Sequence, residues 1–232
     1  THVTEHELLE TCATAFSGGW NSVKLYFMLG LPTETDEDVA AIAELVNKIV
    51  YCWRQSATNK KRRLSINLAT AFFVPKPFTP FQWEKQTSPE EYLRRVHLLQ
   101  SCLTARGVDY RYHESDLSRL EAVLARGDRR LSKVLLRAHE LGCKLDGWDE
   151  YFRYDLWMQA FSDCGVDPEF YTTRGFAEDE NLPWQTIDIG VSRDFFLRER
   201  ALAYQSVTTP DCRTKCAGCG ARSLSERGVC DE

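Results

Sequence analysis

Long apolar runs are missing from this sequence. No uninterrupted stretch approaches the ~20 residues that a membrane-crossing helix requires. The first ten residues, Thr1–Glu10, are polar and acidic, unlike a secretory signal. A surplus of positive charge is missing too: Lys and Arg number 29 against 34 Asp and Glu, a formal net charge of −5. A mildly acidic chain is poorly suited to general nucleic-acid binding. The local exception is the stretch from Arg54 to Arg63, where Arg54, Lys60, Lys61, Arg62 and Arg63 occur without an acid. It reads as a solvated loop after a helix, with a phosphate or RNA contact as the sharper alternative. There is no phosphate-binding glycine loop, no nucleophile elbow and no paired-histidine spacing. Internal repeats and low-complexity segments are absent as well.

What is present suffices for a packed core. The chain has 232 residues, 43% of them hydrophobic and 12% aromatic, which argues against disorder. A chain of this length buries roughly 70–75% of its unfolded surface and needs no disulfide staples. Nine cysteines are an odd number. Cys12, Cys52, Cys102, Cys143 and Cys164 are scattered beside helical apolar pattern and read as small buried hydrophobes. The other four, Cys212, Cys216, Cys219 and Cys230, are bunched at the end of the chain. In a reducing, cytoplasmic setting such a cluster reads as metal binding rather than as disulfides.

Residues 1–113 alternate between the helical and the extended period. Thr4 to Glu7 is a capping box that opens a helix, stopped at Gly18 and Gly19. Val23–Leu29 is nearly continuously apolar and β-prone, as expected of a strand covered on both faces. Gly30-Leu31-Pro32 breaks it, Thr33 and Thr35 offer N-caps, and Asp36, Glu37 and Asp38 suit a helix N-terminus. Val39, Ile42, Ala43, Val46, Ile49, Val50 and Trp53 then recur at helical spacing. A second strand is expected from Leu64 to Val74 and ends at Pro75, Pro77 and Pro80. Ser88, Pro89 and Glu91 start a further helix, Gly107 stops it, and a short strand covers Val108–His113. The alternation predicts βαβ units and a largely parallel sheet. Function then belongs in the loops at the C-terminal ends of the strands, Gly30–Asp36 and Val74–Phe81.

Residues 114–206 read as a helical extension, with helices near Ser115–Arg126, Leu131–Leu141, Asp149–Asp163 and Ser192–Tyr204. Trp148, Tyr151, Phe152, Tyr154, Trp157 and Phe161 form an aromatic cluster at helical spacing, best read as core packing. Residues 207–232 form a cysteine-rich tail built around Cys212-Arg-Thr-Lys-Cys216-Ala-Gly-Cys219-Gly220. A two-residue gap lets both sulfurs of a knuckle face one metal, and the glycines allow a backbone that points amides at sulfur. Zinc and iron–sulfur clusters both take such ligands. Cys230 is the candidate fourth ligand, and a cluster could also carry an open iron. The histidines His97, His113 and His139 lack partner spacing and read as packed or edge residues.

Several stretches carry a resemblance. A strand ending in Gly30-Leu-Pro-x-Glu34-Thr with acidic residues following resembles the fifth strand of the radical S-adenosylmethionine barrel. The Val74-Pro-Lys-Pro77-x-Thr-Pro80 loop resembles that barrel's sixth-strand exit. Lys24–Pro32, Leu141–Trp148 and Pro210–Arg213 are similar to one uncharacterised subgroup with a cobalamin-binding-like domain upstream. The resemblance implies the C-terminal part of a partial (β/α)6 TIM-like barrel, followed by the helical extension and the tail. It implies S-adenosylmethionine across the strand ends. Tyr26, Met28 and Gly30 would line its methionine or ribose side, and Phe73, Val74 and Pro75 would border the adenine. It also implies a 4Fe-4S cluster whose ligands, with the first four strands, lie in an N-terminal part upstream of Thr1, and cobalamin as a further cofactor. Glu34 and Asp38 read as helix N-terminal charge. The C-x3-C-x2-C of the tail has the spacing of the family's cluster signature but not its position after the first strand. The substrate is left open. The other reading is a non-catalytic α/β module with a structural zinc on its tail.

Overall fold

The computed structural model describes residues 3–221, and the chain divides into two compact units. The first comprises the residues up to Phe73 together with Ser88–Ser115; the second comprises Val74–Thr87 together with the chain from Asp116 onward.

The first unit holds α1 (Glu5–Ser17), β1 (Ser22–Leu29), α2 (Asp36–Ser56), β2 (Ser65–Phe72), α3 (Pro89–Cys102) and β3 (Val108–Tyr112). The three strands form one parallel sheet in the order β1-β2-β3. Each helix begins where a side chain can satisfy the free amides of its first turn. Thr4 and Thr35 form capping boxes with Glu7 and Asp38, and Ser88 accepts from the Glu91 amide with Pro89 next in line. The helices bury Phe16, Val39, Ile42, Val46, Ile49, Val96 and Leu99 against Leu25, Leu29, Ile66, Leu68 and Phe72 of the sheet. Phe72 stacks on the ring of Tyr92 at 4.1 Å, and the Tyr92 hydroxyl donates to the His113 carbonyl at 3.0 Å.

The structure corrects two expectations here. β1 is covered on one face only: Leu25 and Leu29 are buried, while Lys24, Tyr26 and Met28 are exposed. The apolar run hid a strict alternation, because Tyr26 and Met28 are apolar side chains left on the open side. Strand β2 is also shorter than Leu64–Val74, ending at Phe72.

The second unit holds α4 (Ser115–Arg126) from its second residue on, α5 (Leu131–Leu141), α6 (Tyr154–Asp163), a 3-10 turn at Pro168–Phe170 and α7 (Arg193–Tyr204). Leu120, Val123, Leu131, Val134, Ala138, Trp157, Phe161 and Tyr171 form one core. Trp83, Phe176, Trp184 and Phe196 form another. The expected Asp149–Asp163 helix begins only at Tyr154, so the aromatic cluster divides. Trp157 and Phe161 are core residues, whereas Trp148 and Tyr151 lie exposed in the preceding turns. Gly142 stops α5 in the left-handed conformation, as a C-terminal glycine should. Together the described residues make a mixed α/β chain with seven α-helices and one three-stranded parallel sheet. Among them no helix is long and apolar enough to cross a membrane.

The entry to β3 is a tight point of the sheet. Gly107 has φ +86° and its carbonyl accepts the Ile66 amide at 2.8 Å; a Cβ there would stand 2.6 Å from the Leu64 carbonyl oxygen. Gly107→Ala should therefore lower stability by about 2–3 kcal/mol, from left-handed strain and backbone collision together, read as a lowered denaturant midpoint.

Candidate functional site

The loop after β1 is built around one carboxylate. Gly30 has φ +89°, and its amide donates to Glu34 Oε2 at 2.8 Å. The same Oε2 accepts from Arg95 Nη1 at 2.6 Å, with the Glu34 and Arg95 side chains only 7% and 13% exposed. Thr33 is held at φ +67°, and the Glu34 amide closes a turn on the Leu31 carbonyl at 3.2 Å. Arg95 is steadied in turn by Glu91 at 2.9 Å. Arg94 binds Glu91 and Asp36 with two contacts each. The strand-end loop and the start of α2 are thus pinned to α3. Glu34 anchors the loop and Asp38 caps the helix.

The expected cofactor-side residues have distinct placements. Tyr26 and Met28 point to the open face, 74% and 49% exposed. They stand in register with Ala69 and Ala71 of β2. Gly30 is buried at the end of the strand. Phe73 is buried, and its amide extends the ladder by donating to the Leu29 carbonyl at 2.9 Å. Val74 and Pro75 are buried as well and begin the segment that belongs to the second unit.

Lower on the open face lies a cleft of about 210 Å³ lined by Lys24, Tyr26, Asn67, Ala69, Asp109 and Arg111. Arg111 pairs with Asp109 at 3.0 Å, whereas Lys24 has no ion-pair partner among the described residues. Of these residues the sequence singled out Tyr26 alone; the period-2 alternation of Lys24, Tyr26 and Met28 was the signal that could have added Lys24. The basic loop is at the other end of the sheet, before β2. Lys60, Lys61, Arg62 and Arg63 are all exposed there.

In the tail, Cys212 and Cys216 are exposed and Cys219 is half-buried. The Gly218 amide donates to Cys216 Sγ at 3.4 Å, and Gly218 and Gly220 have φ of +65° and +96°. This is the amide-to-sulfur geometry anticipated from the glycines. Asp211 accepts from Arg213 and from its amide, which pulls the Asp211 carboxyl down to about 2. The knuckle is held to the start of α7: the Ser192 amide donates to the Cys219 carbonyl at 2.8 Å, and Arg198 donates to the Ala217 carbonyl. Among the described residues no three His, Cys, Asp or Glu side chains are gathered as a metal would require. Cys216 has the amide-to-sulfur contact that a thiolate ligand uses; Cys230 lies outside the described residues.

The comparisons with known proteins add one relative. The chain is 27% identical, over 164 residues, to an uncharacterised protein of Methanocaldococcus jannaschii. The match covers 71% of this chain and 34% of that protein, so the chain spans about a third of its relative's length. No protein family and no solved structure matches the chain.

The acid–arginine cluster gives the site a pH dependence. The Arg94 hydrogen bond, against the cost of burial and with help from Arg95, holds the Glu91 carboxyl at about 2 against an ordinary 4.5. An acid depressed in the folded state contributes stability above its unfolded value and loses it as pH falls through the folded one. The unfolding midpoint should therefore drop between about pH 5 and pH 2. Glu91→Gln should be less stable at pH 7 and show a flatter profile over that window, measured by thermal melts across the pH range.

Proposed function

We propose that the chain is the C-terminal part of a radical S-adenosylmethionine iron–sulfur enzyme, and that it contributes a wall of the pocket for S-adenosylmethionine and substrate. The observation that carries this reading is the uncovered face of a purely parallel sheet. Parallel sheets are ordinarily buried on both faces. Here one face carries exposed Tyr26 and Met28, and β1 ends in a pinned glycine turn whose sequence resembles the barrel's fifth-strand exit. Three consecutive parallel strands with their crossover helices on one side agree with part of a (β/α)6 TIM-like barrel. The relative's greater length leaves room for the remaining strands, the cluster cysteines and the cobalamin-binding-like domain that this reading requires.

S-adenosylmethionine with a reduced 4Fe-4S cluster supplies hydrogen abstraction by a radical route when bound. This chain's own residues bind and orient. Gly30, without a side chain, lets a ligand approach the backbone. Tyr26 and Met28 would offer apolar surface to the ribose or methionine side, and Phe73, Val74 and Pro75 would border the adenine. Glu34 and Arg95 hold the turn in place, and Gly30 depends on that pair for its amide partner. Cys212, Cys216 and Cys219, with Cys230, would hold a second iron–sulfur cluster or a zinc, in keeping with a cytoplasmic location for so many free thiols.

A second reading has an observation in its favour. The amide-to-sulfur bond at Cys216 suits a structural zinc as well as a cluster, and a non-catalytic α/β module stabilised by zinc would need nothing more. Anaerobic reconstitution of the full-length protein separates the two. The radical reading expects iron and sulfide in the protein and formation of 5′-deoxyadenosine from S-adenosylmethionine under reduction. Gly30→Val should cut that formation at least tenfold by filling the approach to the backbone. Zinc alone, with no binding of S-adenosylmethionine, would sink the radical reading and leave the structural one.

A further inference from the structure

A cavity of about 240 Å³ lies wholly within the second unit, formed by the segments around Phe78–Trp83 and 180–196. Its walls are aromatic and aliphatic, chiefly Phe78, Trp83, Leu182, Trp184, Ile189 and Phe196. Gln82 also lines it, but its side-chain oxygen is already engaged, accepting the Trp184 indole N–H at 2.7 Å and the Phe78 amide at 3.2 Å. The inside of the cavity is therefore matched to apolar matter. Phe78 is held at φ +57°, a costly conformation for a bulky residue and a feature that gathers at ligand sites.

Charge is found among the lining residues at Glu180, Asp188 and Arg193. Glu180 is used up by Arg174, with contacts at 2.8 and 2.9 Å, and by the Ala177 amide. Asp188 and Arg193 are exposed. Asp188 spends Oδ1 on the Gly190 amide at 2.8 Å. Its other oxygen and the whole Arg193 guanidinium have no hydrogen-bond or ion-pair partner among the described residues. Two residues that line an aromatic cavity thus carry a free carboxylate oxygen and a free guanidinium, and the two form no ion pair with each other. The segment bearing them is braced from behind. The Ser192 amide donates to the Cys219 carbonyl at 2.8 Å, and a Cβ on Gly220 would stand 3.0 Å from the Gly190 carbonyl oxygen.

We propose that this cavity is a binding site for a free α-amino acid with an apolar, aromatic side chain. The ring occupies the aromatic walls, the carboxylate takes the Arg193 guanidinium, and the ammonium takes the free oxygen of Asp188. A ligand with one charge satisfies one of the two rim groups; the zwitterion satisfies both. The site is independent of the radical reading, since none of its residues belongs to the sheet.

Isothermal titration of the full chain with L-phenylalanine, phenethylamine and 3-phenylpropionate tests it. L-phenylalanine should bind at least tenfold more tightly than either analogue. Arg193→Gln should bring L-phenylalanine to the level of phenethylamine, and Asp188→Asn to that of 3-phenylpropionate. Both residues are exposed, so unchanged circular dichroism should accompany both losses. Equal affinity for all three ligands, tighter binding of either analogue, or no saturable heat with L-phenylalanine at millimolar concentration would overturn the proposal, whatever reconstitution shows about iron.

Discussion

Parallel pairing constrains everything in the first unit. Two parallel strands cannot be joined by a tight turn; each pair needs a crossover of a dozen or more residues, usually a helix. Such crossovers are right-handed almost without exception. With β1, β2 and β3 side by side in chain order, each crossover must return on the same side of the sheet. α2 and α3 therefore share a face, and the buried residues of all three helices meet the same row of Leu25, Leu29, Ile66, Leu68 and Phe72. The opposite face is left bare by topology rather than by polarity, which is why Tyr26 and Met28 stand exposed on it. The same constraint brings every strand C-terminus to one edge, and the Gly30 turn is built there.

That turn shows how a loop is fixed when the helix that follows must begin immediately. Glu34 cannot serve as a simple N-terminal charge, because its carboxylate is nearly buried and already has two donors, the Gly30 amide and Arg95. A buried pair of this kind contributes little net stability, since desolvation offsets much of the attraction. Its effect is positional: the amide of Gly30 and the first turn of α2 are referred to a fixed point on α3. Asp36, Glu91 and Arg94 extend the arrangement outward at higher exposure, where each contact is individually weak.

Local features were legible in the sequence because their causes are local. The capping boxes at Thr4 and Thr35, the Ser88-Pro89 start and the stop at Gly142 each depend on residues within four positions of one another. The parallel alternation was legible for the same reason, since each period is written in its own segment. The pairings that shape the sites were not legible. Glu34 and Arg95 are 61 positions apart, and Gln82 and Trp184 are 102 apart. The side of β1 that would be covered was hidden because both of its faces carry apolar residues. The aromatic run from Trp148 to Phe161 misled for a related reason. Its spacing suits a helix, but Trp148 and Tyr151 fall in the turns that precede Tyr154, where the same residues meet solvent.

The second unit is held together by a different kind of contact, and this explains the behaviour of the chain after β2. Residues 82–86 are tied into that unit by their backbone. The Phe176 amide donates to the Trp83 carbonyl at 2.8 Å, the Gln86 amide to the Thr172 carbonyl at 2.9 Å, and Arg126 to the Glu84 carbonyl. Arg126 is fully buried, lies 4.5 Å from the centre of the Phe176 ring, and forms no ion pair among the described residues. Burial, and then the nearby Arg174, bring its guanidinium down to about 10. Removing a guanidinium from water is expensive, and one carbonyl and one ring do not fully offset it. An apolar side chain of that size would pack more cheaply. What it could not do is select a carbonyl, and so fix where the peptide at Glu84 lies. Polar burial here sets the path of a proline-rich exit that has no ladder or helix of its own to define it.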